Sequence, residues 1–268
     1  MLEATHPEMI VVGNAAFERP LLLLAKQAGI PTIMLQHGVV HPYYRVLDQP
    51  VDHFLVRGGF FRDCLGDALK RKATVLDVPD WTPPEQNRQR GSDILFITSP
   101  VEVEARADFR EVPEIISILL KKASECGARV VIRVHPTESV ARYRAIVEQI
   151  LETLDPKPTV IFSHQTPMAP VLETAAVVVL FHSTVFLECL AAGVPMVSPG
   201  WHDFPFKDRY VEEDVFNFAN DLEDLGTMVL KCLRGELEPR SQKLKRFLRP
   251  TGGSELREFV NSIVEAKV

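Results

Sequence analysis

Short apolar runs alternate with amphipathic stretches along the whole chain. Residues 8–12, 32–35, 52–56 and 73–76 read as buried strands, with helices over 21–28 and 60–70 between them, the first closed by Gly29-Ile-Pro31. Residues 79–90, Pro-Asp-Trp-Thr-Pro-Pro-Glu-Gln-Asn-Arg-Gln-Arg, interrupt this order with polar, proline-rich sequence of the kind that links domains. The alternation then resumes. Strands are expected over 93–97, 129–134, 159–162, 177–180 and 196–198, and helices over 112–126, 139–154, 168–174, 183–192, 222–233 and 253–266. Strands alternating with helices predict parallel sheets covered by helices. The expected fold is α/β, with two Rossmann-like parallel-sheet domains in series: 1–80, a linker over 81–92, a second domain over 93–252, and a last helix over 253–268 packing back toward the first. No repeat of fixed period is present.

Open parallel sheets bind ligands at the carboxyl ends of their strands. The unusual polar residues cluster there: Gln36-His37-Gly38, Thr98-Ser99, His135-Pro136 and His182-Ser183-Thr184. Ser183 and Thr184 stand where a helix begins, and unpaired N–H groups and the helix dipole favour an anion such as phosphate at that place. Glu188 follows five residues after Ser183, about 7.5 Å along a helix at ~1.5 Å per residue, roughly the step from pyrophosphate to ribose hydroxyl. The plainer reading is an ordinary N-cap, with Gly193-Val-Pro195 as helix-to-strand punctuation. Pro136 keeps His135 extended, so that an imidazole which is protonated, or donates an N–H, can meet a leaving phosphate; a turn-stabilising hydrogen bond is the alternative. His37 is the candidate base that deprotonates an attacking hydroxyl, with His41 as a rival, and Gly38 allows a sharp turn or close approach. His53, inside a strand, reads as a core residue.

Composition narrows the classes. Of 268 residues 46% are apolar and 25% charged, which fits a soluble globular chain, and a net charge of −6 with dispersed basic residues argues against nucleic acid. Lys243-Leu-Lys-Arg-Phe-Leu-Arg249 reads as a solvated helix face, with contact to anionic lipid as the lesser alternative. There is no apolar run of membrane-spanning length and no signal-peptide order, so a cytoplasmic protein is expected, with the inner face of the cell membrane as a further site. Cys64, Cys126, Cys189 and Cys232 lack metal-ligand spacing and are expected to be core thiols. Gly-x-Ser-x-Gly, the P-loop and Gly-x-Gly-x-x-Gly are absent, which argues against hydrolase, kinase and nicotinamide readings. With no Asp-x-Asp pair to hold a metal against phosphates, helix ends, hydroxyls and imidazoles would carry a metal-independent transfer without cofactor.

Gly29-Ile-Pro-Thr-Ile-Met-Leu-Gln-His-Gly38, Asp52-His-Phe-Leu-Val-Arg-Gly58, Arg133-Val-His-Pro136 and Ser183-Thr-Val-Phe-Leu-Glu-Cys-Leu-Ala-Ala-Gly-Val-Pro195 together resemble the GT-B glycosyltransferases of bacterial surface and capsular polysaccharide synthesis. The nearest groups are the HP-motif sialyl- and Kdo-transferases and the CDP-glycerol glycerophosphotransferases. The resemblance implies two domains facing across a cleft and a nucleotide-activated donor, more readily cytidine-linked (CMP or CDP) than uridine-linked. It implies a glycan or lipid-linked acceptor. Under it His135 contacts the donor phosphate, Ser183 and Thr184 bind phosphate, Glu188 binds ribose and His37 is the base. Ser99 joins the phosphate group, residues 163–168 (Ser163 to Met168) contact the nucleobase, and Gln36, Gly38, His41 and His182 are further base or acceptor contacts. Such proteins carry further βα units ahead of the strand at 8–12, so the N-terminal domain is expected to be incomplete, and a partner chain supplying those units is an alternative. Two rival functions remain: a UDP-N-acetylglucosamine 2-epimerase-like enzyme and a non-catalytic nucleotide-binding subunit of a polysaccharide assembly complex.

Overall fold

The structure, a computed structural model, describes residues 7–13, 15–36, 38, 40, 44, 49–76, 91–99, 111–181, 183–249 and 254–265. They fall into two compact units, Met1–Pro83 with Leu244–Val268, and Pro84–Lys243.

The first unit holds a four-stranded parallel sheet in the order β1 (Ile10–Val12), β2 (Thr32–Leu35), β3 (His53–Val56), β4 (Ala73–Val75). Helix α1 (Ala15–Gln27) joins β1 to β2 and buries Leu22 and Ala25; it ends before Gly29, whose φ of 67° suits a residue without Cβ. The expected helix over 60–70 is two, α2 (Gly59–Asp63) and α3 (Asp67–Lys72). The extended φ,ψ of Gly66 breaks the run, and its N–H instead donates to Tyr44 O at 3.1 Å.

The chain re-enters this unit at Leu244, not at 253. Helix α10 (Leu244–Phe247) sets Phe247 against Phe60 (ring centroids 4.5 Å apart) and packs its backbone over Gly58, where a Cβ would lie 2.3 Å from Phe247 C and O. Arg246 binds Asp63 at 2.7 Å and Arg249 binds Glu255 at 2.8 Å. The basic segment 243–249 is therefore not a plain solvated face: its arginines are paired, and Phe247 and Leu248 are buried. Helix α11 (Ser254–Glu265) lays Leu256, Phe259, Val260 and Ile263 on Ile33, Leu55 and Leu76, and His53 meets the Phe259 ring edge-on.

The second unit is a six-stranded parallel sheet, β10-β9-β8-β5-β6-β7, built from β5 (Asp93–Ile97), β6 (Val130–Arg133), β7 (Val160–Ser163), β8 (Ala175–Leu180), β9 (Met196–Pro199) and β10 (Asn217–Ala219). Counted within the unit and read from β7, this is the 3-2-1-4-5-6 order of a dinucleotide-binding fold, and β5 and β8 flank the point where the winding reverses. Helices α4 (Glu111–Cys126), α5 (Val140–Leu151) and α9 (Leu222–Arg234) cover one face over Ile94, Phe96, Ile132 and Val179. Helices α6 (Met168–Thr174) and α7 (Val185–Ala192) pack together elsewhere on the unit.

Two elements had no clear pattern in the sequence, helix α8 (Lys207–Glu212) and strand β10. They belong to an aromatic cluster of Phe186, Phe204, Tyr210, Phe216 and Phe218 behind α7. Cys64, Cys189 and Cys232 are buried as expected, whereas Cys126 is exposed at the end of α4, its thiol donating to Lys122 O at 3.0 Å. Of the expected linker, 81–90 lies outside the described residues.

Candidate functional site

Strands β5 to β8 end level. Ile97 pairs with Leu180 on one side and Arg133 on the other, and Arg133 pairs with Ser163. With neighbouring strands about 4.8 Å apart, the polar residues just past this row, Thr98, Ser99, His135 and Ser183, form one rim, while Val134 and Phe181 turn into the core. The rim is centred on the point where the winding reverses.

At the start of α7, Val185 N–H donates to Ser183 Oγ at 3.3 Å, Phe186 N–H to Ser183 O at 3.2 Å and Leu187 N–H to Thr184 O at 3.0 Å. The N–H groups of Ser183 and Thr184 and the Thr184 hydroxyl have no partner among the described residues. Donors in that state at a helix start are suited to an anion. Buried Phe186, Leu187 and Leu190 anchor the helix, and Gly193, at φ 62°, closes it with Val194 N–H on Cys189 O at 3.0 Å. Glu188 is half-buried in the first turn.

His135 is fixed from two sides. Its N–H donates to Thr98 Oγ1 at 2.8 Å, and Thr98 in turn donates a short hydrogen bond to Glu138. The other Glu138 oxygen accepts from Tyr143 OH at 2.8 Å. Burial, reinforced by Glu138, pushes the Tyr143 phenol above its ordinary pKa, so it remains a donor. On the ring, Nδ1 contacts Thr137 Oγ1 at 2.8 Å and accepts from Thr137 N–H at 3.3 Å.

Arg133 donates from Nη1 to the buried Ser163 Oγ at 2.9 Å and has no carboxylate partner among the described residues. Its positive charge lies at the end of β6, beside Ser163. Met168 opens α6, half-buried, and His164 Nε2 is enclosed without a hydrogen-bond partner.

Beside the rim, Glu111 Oε2 lies 2.5 Å from His202 Nε2 and accepts from Trp201 Nε1 at 2.8 Å. The His202 ring stands edge-on to Phe181 at 4.9 Å. Burial lowers the His202 pKa and Lys207 adds to this, while Glu111 opposes it.

The structure thus brings Ser99, His135, Ser163, Ser183 and Thr184 to neighbouring strand ends, with Glu188 and Met168 on the helices that follow. Gln36 and Gly38 belong to the first unit, where the Gln36 amide is occupied in fixing a turn: it accepts from Arg57 N–H at 3.0 Å and donates to Gly38 O at 2.8 Å. His37, His41 and His182 lie outside the described residues. The sequence pattern gives no role to Arg133, Glu138 or Tyr143, although a charged residue inside an apolar strand, two places before a histidine, is a usable signal. Among the described residues no cluster of three or more His, Cys, Asp or Glu could hold a metal ion, and no helix is long and apolar enough to cross a membrane.

A family model described as capsule polysaccharide biosynthesis protein matches residues 93–206, which spans the whole rim. No curated protein matches the chain in sequence. Among solved structures it is similar to the S. aureus MnaA–UDP co-structure (TM-score 0.69, 10% identity, 98% of this chain and 76% of that one). It is also similar to Acinetobacter baumannii MurG (0.63, 10%, 97% and 75%) and to Methanocaldococcus jannaschii UDP-GlcNAc 2-epimerase in complex with UDP-GlcNAc and UDP (0.63, 11%, 97% and 77%). These likenesses show the fold: two parallel-sheet α/β units of the GT-B class.

Proposed function

We propose that the second unit grips a nucleotide-activated sugar donor and that the protein is a metal-independent glycosyltransferase, or glycerophosphotransferase-like enzyme, of bacterial surface polysaccharide synthesis. The observation that carries this reading is the set of donors on Ser183 and Thr184 without a partner among the described residues, where the strand order reverses, with His135 and Arg133 on neighbouring strand ends. The match to capsule biosynthesis proteins over 93–206 supports it.

With a sugar donor, an acceptor hydroxyl attacks the donor carbon, the bond from that carbon to the phosphate oxygen breaks, and the electron pair leaves with the nucleotide. With a glycerophosphate donor, the hydroxyl attacks the phosphorus that bears the glycerol, and the bond from that phosphorus to the bridging oxygen breaks, its electron pair leaving with the nucleoside monophosphate. Ser183, Thr184, Ser99 and His135 donate hydrogen bonds to the departing phosphate, Arg133 balances its charge and Glu188 holds the ribose. His37 takes the hydroxyl proton, a role that rests on the sequence and on the family resemblance. Acceptor, membrane contact and any partner chain are part of the same proposal.

An epimerase-like reading shares the grip and is favoured by the similarity to UDP-GlcNAc 2-epimerase structures. Calorimetry with CMP, CDP and UDP tests the grip: micromolar binding of at least one, weakened by Ser183→Ala and by His135→Ala, is the expected result. Absence of binding by all three sinks it. Inversion at C2 of UDP-N-acetylglucosamine, followed by NMR, would select the epimerase, and nucleotide binding without turnover of any donor would select the non-catalytic subunit.

A further inference from the structure

Two groups of one residue converge on a single nitrogen of His135. Thr137 Oγ1 lies 2.8 Å from Nδ1, and the Thr137 backbone N–H reaches the same atom at 3.3 Å. A backbone N–H can only donate, so in this contact Nδ1 is the acceptor. A proton on Nδ1 would go to Thr137 Oγ1 and set two donors, that proton and the Thr137 N–H, against each other, whereas a bare Nδ1 accepts from both Thr137 groups. In a neutral imidazole with a bare Nδ1 the proton sits on Nε2, the nitrogen on the far side of the ring from Thr137. The backbone beneath the ring is held independently, because His135 N–H is committed to buried Thr98, which Glu138 and Tyr143 brace.

We propose that Thr137 is a positioning residue that sets the neutral ring of His135 as the Nε2–H tautomer, so that Nε2 meets the donor's phosphate as a hydrogen-bond donor and not as a base. What Nε2 meets rests on the donor-binding reading above, whereas the tautomer is a property of the chain itself. The consequence is a division of labour. His135 stabilises negative charge on the leaving oxygen without moving a proton, and the acceptor's proton must go to a different residue. Arg133, at the end of β6, adds a positive charge beside His135.

The test uses the full chain. Long-range 1H–15N spectra of the His135 ring, assigned by loss of its signals in His135→Gln, are recorded at a pH where the imidazole is neutral. The expected spectrum shows a bare Nδ1 and a protonated Nε2 in the wild type and in Thr137→Ser, with both nitrogen shifts moving part of the way toward averaged values in Thr137→Val, where the closer hydroxyl contact at 2.8 Å is gone and only the longer backbone N–H contact at 3.3 Å is left. CMP and UDP affinities are measured in parallel. Thr137→Val is expected to bind whichever nucleotide the wild type binds about fivefold more weakly, the effect of one net hydrogen bond. Thr137→Ser stays within about twofold on the same grounds, and the melting temperatures coincide. A wild-type spectrum with the proton on Nδ1 overturns the proposal, as does a Thr137→Val protein that keeps both the ring spectrum and the affinity. If neither nucleotide binds the wild type, the donor-binding reading fails, and the ring spectrum alone decides the tautomer.

Discussion

Replacing Thr98 by valine keeps the shape of the side chain and removes one oxygen, so the change isolates what that hydroxyl does. Thr98 is 3% exposed, and its Oγ1 is the acceptor for His135 N–H at 2.8 Å and the donor to one Glu138 oxygen. Valine strands a backbone N–H at a cost of about 1–3 kcal/mol. Glu138 also loses one of its two protein donors, but it is half-buried and water can partly replace the loss, so about 1 kcal/mol is added. The sum is about 2–4 kcal/mol. For a protein of this size 1 kcal/mol corresponds to about 2–4 °C, so calorimetry should find the melting point of the second unit lowered by roughly 5–15 °C. Thr98→Ser restores the hydroxyl and loses only a methyl group, about 0.8 kcal/mol. Glu138→Gln combined with Thr98→Val should cost less than the two single changes added, because they break the same chain of bonds. A Thr98→Val protein that melts within about 0.5 kcal/mol of wild type, the range of an ordinary surface change, would refute the brace.

Gly58→Ala would put a methyl group 2.3 Å from the Phe247 backbone; forcing α10 away should destabilise the first unit by about 1–3 kcal/mol or more, seen as earlier melting and faster proteolysis near Leu244. Arg133→Met should weaken nucleotide binding about tenfold, the worth of one charge-assisted hydrogen bond, with Ser163→Ala giving a smaller loss; equal affinities in all three proteins would remove Arg133 from the site. His202 has a folded-state pKa below its ordinary 6.5. The unfolded chain therefore takes up its proton first on acidification, and the stability this contributes is full above pH 6.5 and lost as pH falls through the folded value. Denaturant melts of His202→Asn across that window should show a flatter pH dependence than wild type.

Much of the architecture was readable because parallel α/β units repeat one instruction: an apolar run, a turn, an amphipathic stretch. The boundaries of β2, β5 and α6 match their expected ranges for this reason. Helix α8 and β10 escaped because Trp201 to Phe218 is dense in aromatic residues that pack among themselves, without a helical or strand period. The rim was legible where a polar residue directly follows a strand, as with Ser99, His135 and Ser183. Its supports were not. Glu138 and Tyr143 acquire meaning only when the turn after β6 brings them under Thr98, a contact across 40 positions of sequence. Likewise Glu111 and His202, 91 positions apart in the numbering, meet only once β9 and α4 are in place.

The return of the chain at Leu244 affects how the protein is made. On a ribosome the four strands of the first unit emerge early, but Ile33, Leu55 and Leu76 remain without their cover until Leu256 to Ile263 have been synthesised. The six-stranded sheet, whose strands and covering helices all precede Lys243, can close while the earlier-made one is still waiting. The earlier-made unit is thus the later to mature, and a premature stop between Lys243 and α11 would leave a finished second unit attached to an uncovered sheet, the kind of sticky intermediate that chaperones recognise.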